Sequence, residues 1–204
     1  MADTRKSTVF DQTYQHYLAE IKKIDYLARA ELLGARVQDE ALIIPLYERL
    51  YAVSASSIES VDNGEAHDAV RVILGKYVLT CPAELPVISN KWVTYREFRD
   101  GAPLVSYFTT NTNKNIESHF SGKIGLLKDC CERLGGFLEP NESYDLSVTF
   151  HALPRIPVIL NFNDSDDLFP ATCSILYQES AQHYLDMECL AMTGTLLAGK
   201  LLSS

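Results

Sequence analysis

Three stretches decide the fold: Tyr144-Asp-Leu-Ser-Val-Thr-Phe150, Ile156-Pro-Val-Ile-Leu-Asn-Phe162 and Thr172-Cys-Ser-Ile-Leu-Tyr177. In the first, Leu146, Val148 and Phe150 alternate with polar neighbours, the two-residue period of a strand with one buried face. The second is almost continuously apolar, as in a central strand covered on both faces. The connection from Asn163 to Pro170 is short enough to close the second and third into an antiparallel hairpin.

Outward from these strands the texture changes. Asp186 stands where it can cap a final helix running through Leu202. Upstream, Ile116, Phe120, Ile124, Leu127, Cys131 and Leu134 step by three or four, predicting one helix that Gly135-Gly136 ends. Asp68 to Leu79 reads as a buried helix. The N-terminal residues Phe10, Tyr14, Tyr17, Leu18, Ile21, Ala28 and Leu32 predict another, stopped at Gly34, with Lys22, Lys23, Asp25 and Arg29 facing solvent. Leu42 to Ser54 is β-branched and aromatic with Pro45 inside, so it reads as an edge strand or a short hairpin. Asn63-Gly64 and Asp100-Gly101 mark turns, Pro82 and Pro86 bracket a loop, and Trp92 to Phe98 is a mixed segment. Helices early and late with strands gathered between give the α+β class, an antiparallel sheet in the C-terminal half packed against helices. Residues 1–204 suit a single domain, with 1–36 a helical segment on or beside it.

The formal net charge of −9 repels phosphate backbones, and no basic run exceeds Lys22-Lys23, so neither nucleic acid nor an anionic membrane is an expected partner. No stretch of 18 apolar residues occurs and no signal-peptide core follows Met1, so the expected compartment is the cytoplasm, with reduced thiols. Cys81, Cys130, Cys131, Cys173 and Cys189 are odd in number and contain no C-x-x-C pair, so they spell neither a disulfide framework nor a zinc ribbon.

The segment from Val148 to Ala171, with its Ala-Leu-Pro-Arg-Ile-Pro-Val-Ile-Leu-Asn-Phe-Asn-Asp-Ser-Asp-Asp-Leu-Phe-Pro core, resembles the family catalogued as domain of unknown function 3786. So do Cys173 to Leu185, Met187-Glu-Cys-Leu190, Ile43-Ile-Pro-Leu-Tyr47 and Trp92-Val-Thr-Tyr-Arg-Glu-Phe98, which extends the resemblance from about residue 40 to the C-terminus. The resemblance implies bacterial and archaeal relatives of unknown function. Some are labelled iron–sulfur proteins for a cysteine-rich segment that precedes this domain. The first cysteine here is Cys81, so that label is not expected to transfer, and no cofactor is expected.

Several residues are candidates for chemistry. Asp164, Asp166 and Asp167 lie within one short loop, where carboxylates can converge on a hard cation. The EF-hand pattern fails, because Phe169 and Ile175 stand where Gly and Glu are required. A solvated hairpin turn is the competing reading, and no metal is assigned. Arg155 is stiffened between two prolines, Arg96 and Glu97 follow the only tryptophan, and each of these reads equally as an internal ion pair or a cap. Histidine spacing gives no metal motif, Gly122-Lys123 lacks the earlier glycine of a phosphate loop, and no G-x-S-x-G is present. Two functions stay open: a ligand-binding or accessory protein acting with a protein partner or small molecule, and a metal-assisted enzyme joining the acidic loop to His183 or His151. Whether the chain is an enzyme, and its oligomeric state, stay open too.

Overall fold

The computed structural model of the chain describes residues 2–62, 64–86 and 91–203. Asn63, half of the predicted Asn63-Gly64 turn, lies outside them. The chain starts with helix α1 (Ala2–Ile21), a 3-10 turn at Leu27–Arg29 and the single-turn helix α2 (Ala30–Leu33). Strands β1 (Arg36–Gln38), β2 (Ala41–Leu46), β3 (Arg49–Val53) and β4 (Ile58–Ser60) follow, then helix α3 (Asp68–Leu79). Strand β5 (Trp92–Thr94) leads to α4 (Val105–Phe108), a π-turn at Thr109–Asn113, α5 (Lys114–Phe120) and α6 (Ile124–Arg133). The remainder holds β6 (Phe137–Leu138), β7 (Leu146–Leu153), β8 (Ile156–Asn163), β9 (Thr172–Gln178) and helix α7 (Met187–Leu202).

The strands form two antiparallel sheets, ordered β1-β2-β3-β4 and β5-β9-β8-β7-β6, and the class is α+β as expected. In the second sheet Phe150, Val158 and Tyr177 stand in one cross-strand row, and Val148, Leu160 and Ile175 in the next; all are buried on a common face. The opposite face of β8 departs from the two-sided burial that its apolar run predicts. Ile159 is only half-buried there, and the one fully buried residue, Asn161, accepts a 2.7 Å hydrogen bond from Ser147. The Leu42–Ser54 stretch is a hairpin, β2 to β3, with β2 internal to its sheet and Pro45 opposite Leu50. The two sheets meet where the Tyr47 amide donates to the Ala152 carbonyl at 2.9 Å. One buried cluster runs through both. Among the described residues no helix is long and apolar enough to cross a membrane.

Two predicted helices are each interrupted, the first at a polar side chain and the second at a glycine. The N-terminal helix stops at Ile21, because Asp25 accepts from the Ala28 amide and starts a new turn. Arg29, expected in solvent, instead donates to the Val78 and Leu79 carbonyls at 2.8 and 3.0 Å, capping α3 from outside. The second predicted helix breaks between α5 and α6, where Gly122 takes a left-handed φ of 71° that continues no helix.

Helix α7 is apolar nearly all round, and three tyrosines clasp it. Tyr95, Tyr177 and Tyr47 donate their hydroxyls to the carbonyls of Met187, Leu190 and Thr193 at 2.7, 3.1 and 2.8 Å. Gly194 makes the close approach possible: a Cβ there would collide with the Phe108 ring and stand 2.9 Å from the Tyr177 hydroxyl. Gly199, a turn further on, has nothing among the described residues within 4 Å of the same position. Gly194→Ala is therefore expected to destabilise the protein by about 1–3 kcal/mol through overpacking. Gly199→Ala should stabilise it by about 0.5–1 kcal/mol through helix propensity. Urea unfolding of the two variants checks the ordering, and a reversed order refutes the packing.

Burial raises all three phenols, the Tyr95 hydroxyl to about 12. A raised folded value means their contribution is complete below the ordinary tyrosine value of 10.0 and is lost as pH rises through the folded values. Unfolding free energy should accordingly fall above about pH 10, with a shallower fall in Tyr95→Phe. An identical alkaline limb in wild type and variant would contradict the assignment.

Candidate functional site

Of the residues singled out by sequence, Glu97, Arg155, Asp164 and Asp166 are engaged with backbone groups. Glu97 closes a capping box with Thr94, accepting from its amide and hydroxyl at 2.8 Å each, which draws its carboxyl below the ordinary range. Arg96 beside it is exposed. Arg155 donates through Nε to the Leu32 carbonyl at 3.1 Å and through Nη2 to the Glu31 carbonyl at 2.7 Å, serving as a cap for α2. Its own amide donates to the Tyr77 hydroxyl, which in turn donates to the Leu33 carbonyl.

The acidic loop does the same work. Asp164 accepts from the amides of Gly122, Ile124 and Ser165 at 2.6, 3.2 and 2.8 Å, so it caps α6 from a distant segment. Asp166 accepts from Leu168 and Phe169 at 2.8 and 2.7 Å, an Asx turn whose amides draw its carboxyl down. Asp167 is exposed. Neither histidine comes near. The loop springs from Asn163, whereas His151 pairs with Pro157 six residues back along β8, about 20 Å away. His183 is exposed beyond the far end of β9. Among the described residues no three His, Cys, Asp or Glu side chains form a group that could hold a metal ion.

His151 and Arg155 line one hollow of about 260 Å³ beside Tyr184, and larger hollows lie along α7. Three adjoining hollows of about 480, 310 and 590 Å³ follow the helix from its first turn to its last. The first two share Leu104, Asp186 and Glu188; the second and third share Phe10, Tyr107 and Met192. They form one groove, with α1 and α3 on one bank and Leu104 and Tyr107 on the other. Sequence periodicity missed it, because a helix that is apolar all round reads simply as core. The usable signal was Met192, Leu196 and Gly199 on one face.

A polar cluster closes one wall of this groove. Asp186 caps α7 by accepting from the Cys189 amide at 2.9 Å and pairs with Lys76 at 2.9 Å. Burial works to raise the Asp186 carboxyl, but the Cys189 amide and the Lys76 ammonium outweigh it and hold it low. The Lys76 amine is raised, chiefly by that hydrogen bond. Burial, reinforced by Asp186, pushes the Cys189 thiol up. Cys131 is likewise buried and raised to about 12, and Cys173 is raised as well. These thiols stay protonated at neutral pH and are poor nucleophiles.

The capping assignment separates the loop's carboxylates. Asp164→Ala is expected to cost about 1–2 kcal/mol of stability, as a lost helix cap does. Asp166→Asn keeps an acceptor for both amides and should stay within about 0.5 kcal/mol of wild type. Calcium, magnesium or manganese should leave the wild-type Tm unchanged. A cation-dependent rise absent from Asp166→Asn would replace the turn with a cation site.

No curated protein and no solved structure matches the chain. A family model does match, over residues 25–200, and its description is a domain of unknown function, DUF3786. The match covers α2 through most of α7, including the clasping tyrosines, Asp186 and nearly all of the groove's floor. The chain belongs to this DUF3786 family.

Proposed function

We propose that this protein is a binding module that works with a partner, and that the groove along α7 is where it binds. The observation that carries the reading is the continuity of the three hollows along one otherwise buried helix. Folded monomers rarely leave a contiguous apolar channel of this extent uncovered unless something occupies it. The Cys189 thiol beside it is held protonated by burial, and Asp164 and Asp166 of the acidic loop are engaged with amides. Both features favour binding over covalent chemistry. The reading places the protein in the cytoplasm with reduced cysteines, and gives it no cofactor, no nucleic acid and no membrane.

Native mass spectrometry of the protein purified from its own source tests this. Wild type is expected to carry a bound protein or small molecule that Met192→Glu, with a charge in the groove floor, does not retain. Recovery of bare wild-type protein would sink the reading. The same preparation, kept anaerobic, is expected to contain no stoichiometric iron, because the five cysteines are scattered along the sequence. Iron accompanied by thiolate-to-iron absorbance would overturn that part.

A further inference from the structure

The side of α7 that faces the groove is a narrow stripe: Glu188, Met192, Thr195, Leu196, Gly199 and Ser203. Their spacing is that of one helical face; Met187, Lys200 and Leu202 are half-buried beside it, and most of the helix's other positions are packed. Gly199 is the informative member. Gly194 is demanded by Phe108 and Tyr177, but among the described residues nothing stands within 4 Å of where a Cβ of Gly199 would be. An interior helix glycine without an internal reason leaves room for a second backbone to come close.

Length and charge then specify what comes close. From Glu188 to Ser203 the stripe is about 24 Å long, the length of a four-turn helix. At its start the groove is lined by Asp100 and Glu188, which form no ion pair among the described residues. At its end it is lined by Arg49, His67 and Lys200, the last held by Glu48 at 2.6 Å. In a chain of net charge −9 that basic end is a local feature. Helices ordinarily carry acidic residues in their first turn and basic residues in their last. Laid antiparallel to α7, such a helix meets opposite charge at both ends, and the two helix dipoles oppose one another. A second copy of α7 does not fit as the occupant. Its stripe is also a groove floor, recessed below banks that carry Val9 and Tyr107, at 62% and 45% exposure.

We propose that the groove takes an amphipathic helix of about four turns from a partner protein, antiparallel to α7. Its basic last turn lies against Asp100 and Glu188, and its acidic first turn against Arg49. This rests on the binding reading above and adds the class of partner and its direction.

Two synthetic 16-residue helical peptides with the same leucine stripe provide the test. One carries glutamates in its first turn and lysines in its last, and the other has these exchanged. In fluorescence anisotropy the wild-type protein is expected to bind the first about tenfold tighter, one charge-steered step in affinity. Gly199→Leu fills open space, so it should fold normally and lose binding to both peptides. The double variant Glu188→Lys, Arg49→Glu should reverse the preference, which controls for any difference in the peptides' own helicity. Equal affinity for both peptides, no binding by wild type, or a preference that the double variant leaves unreversed would each overturn the proposal. So would a concentration-dependent dimer of the protein alone that Gly199→Leu dissociates, since a second copy would then be the occupant. A bound partner in the native mass spectrum together with peptides that are not discriminated would end this inference and leave the binding reading standing.

Discussion

Hydrogen bonds from buried tyrosine hydroxyls to the carbonyls of α7 hold this structure in register. Tyr47 comes from the β2–β3 turn, Tyr95 from the segment after β5, and Tyr177 from the end of β9, so one helix is tied to both sheets. A buried phenol left without an acceptor costs the desolvation of its hydroxyl. That penalty fixes both the rotation and the height of α7. A small shift of the helix would orphan three donors together. The Phe108 ring stacks on Tyr95 with centroids 4.5 Å apart and fills the space over Gly194. Once α7 is fixed in this way, the stripe it leaves uncovered is fixed as well.

The three C-terminal strands, α3 and α7 were legible because each has a clean period and a recognisable start. Asp186 sits where a cap belongs, and Leu146, Val148 and Phe150 share a face. The interruptions were not legible from spacing. Apolar residues keep their helical interval across Ile21 to Leu32 and across Phe120 to Ile124, yet Asp25 and Asp164 claim amides in the gaps. The claim of Asp164 is long-range, and a one-dimensional pattern carries no trace of it. The helical run from α4 through the π-turn had no strong period to announce it.

The site shows the same division. Capping was one of the readings open for Arg155 and Glu97, and both cap backbone groups, because a charged group beside unsatisfied helix ends gains hydrogen bonds without leaving water entirely. Arg29 joins them on the same terms. Polar residues drew the eye because they were polar, whereas the groove is built of Phe10, Tyr107, Met192 and an unfilled glycine. Its signature is an absence of side chain at Gly199, visible only once Gly194 in the same helix shows what a required glycine looks like.

The contacts that secure α7 also reach far along the chain. Tyr47 and Thr193 are 146 positions apart, Tyr95 and Met187 are 92, and the Lys200–Glu48 pair spans 152. Closing loops of that size is entropically unfavourable until most of the intervening chain is already ordered. The banks of the groove come from the start and middle of the sequence and its floor from the end. Its outline therefore exists only in molecules that have completed folding, and a partner docking there as proposed would distinguish a finished chain from a nascent or damaged one.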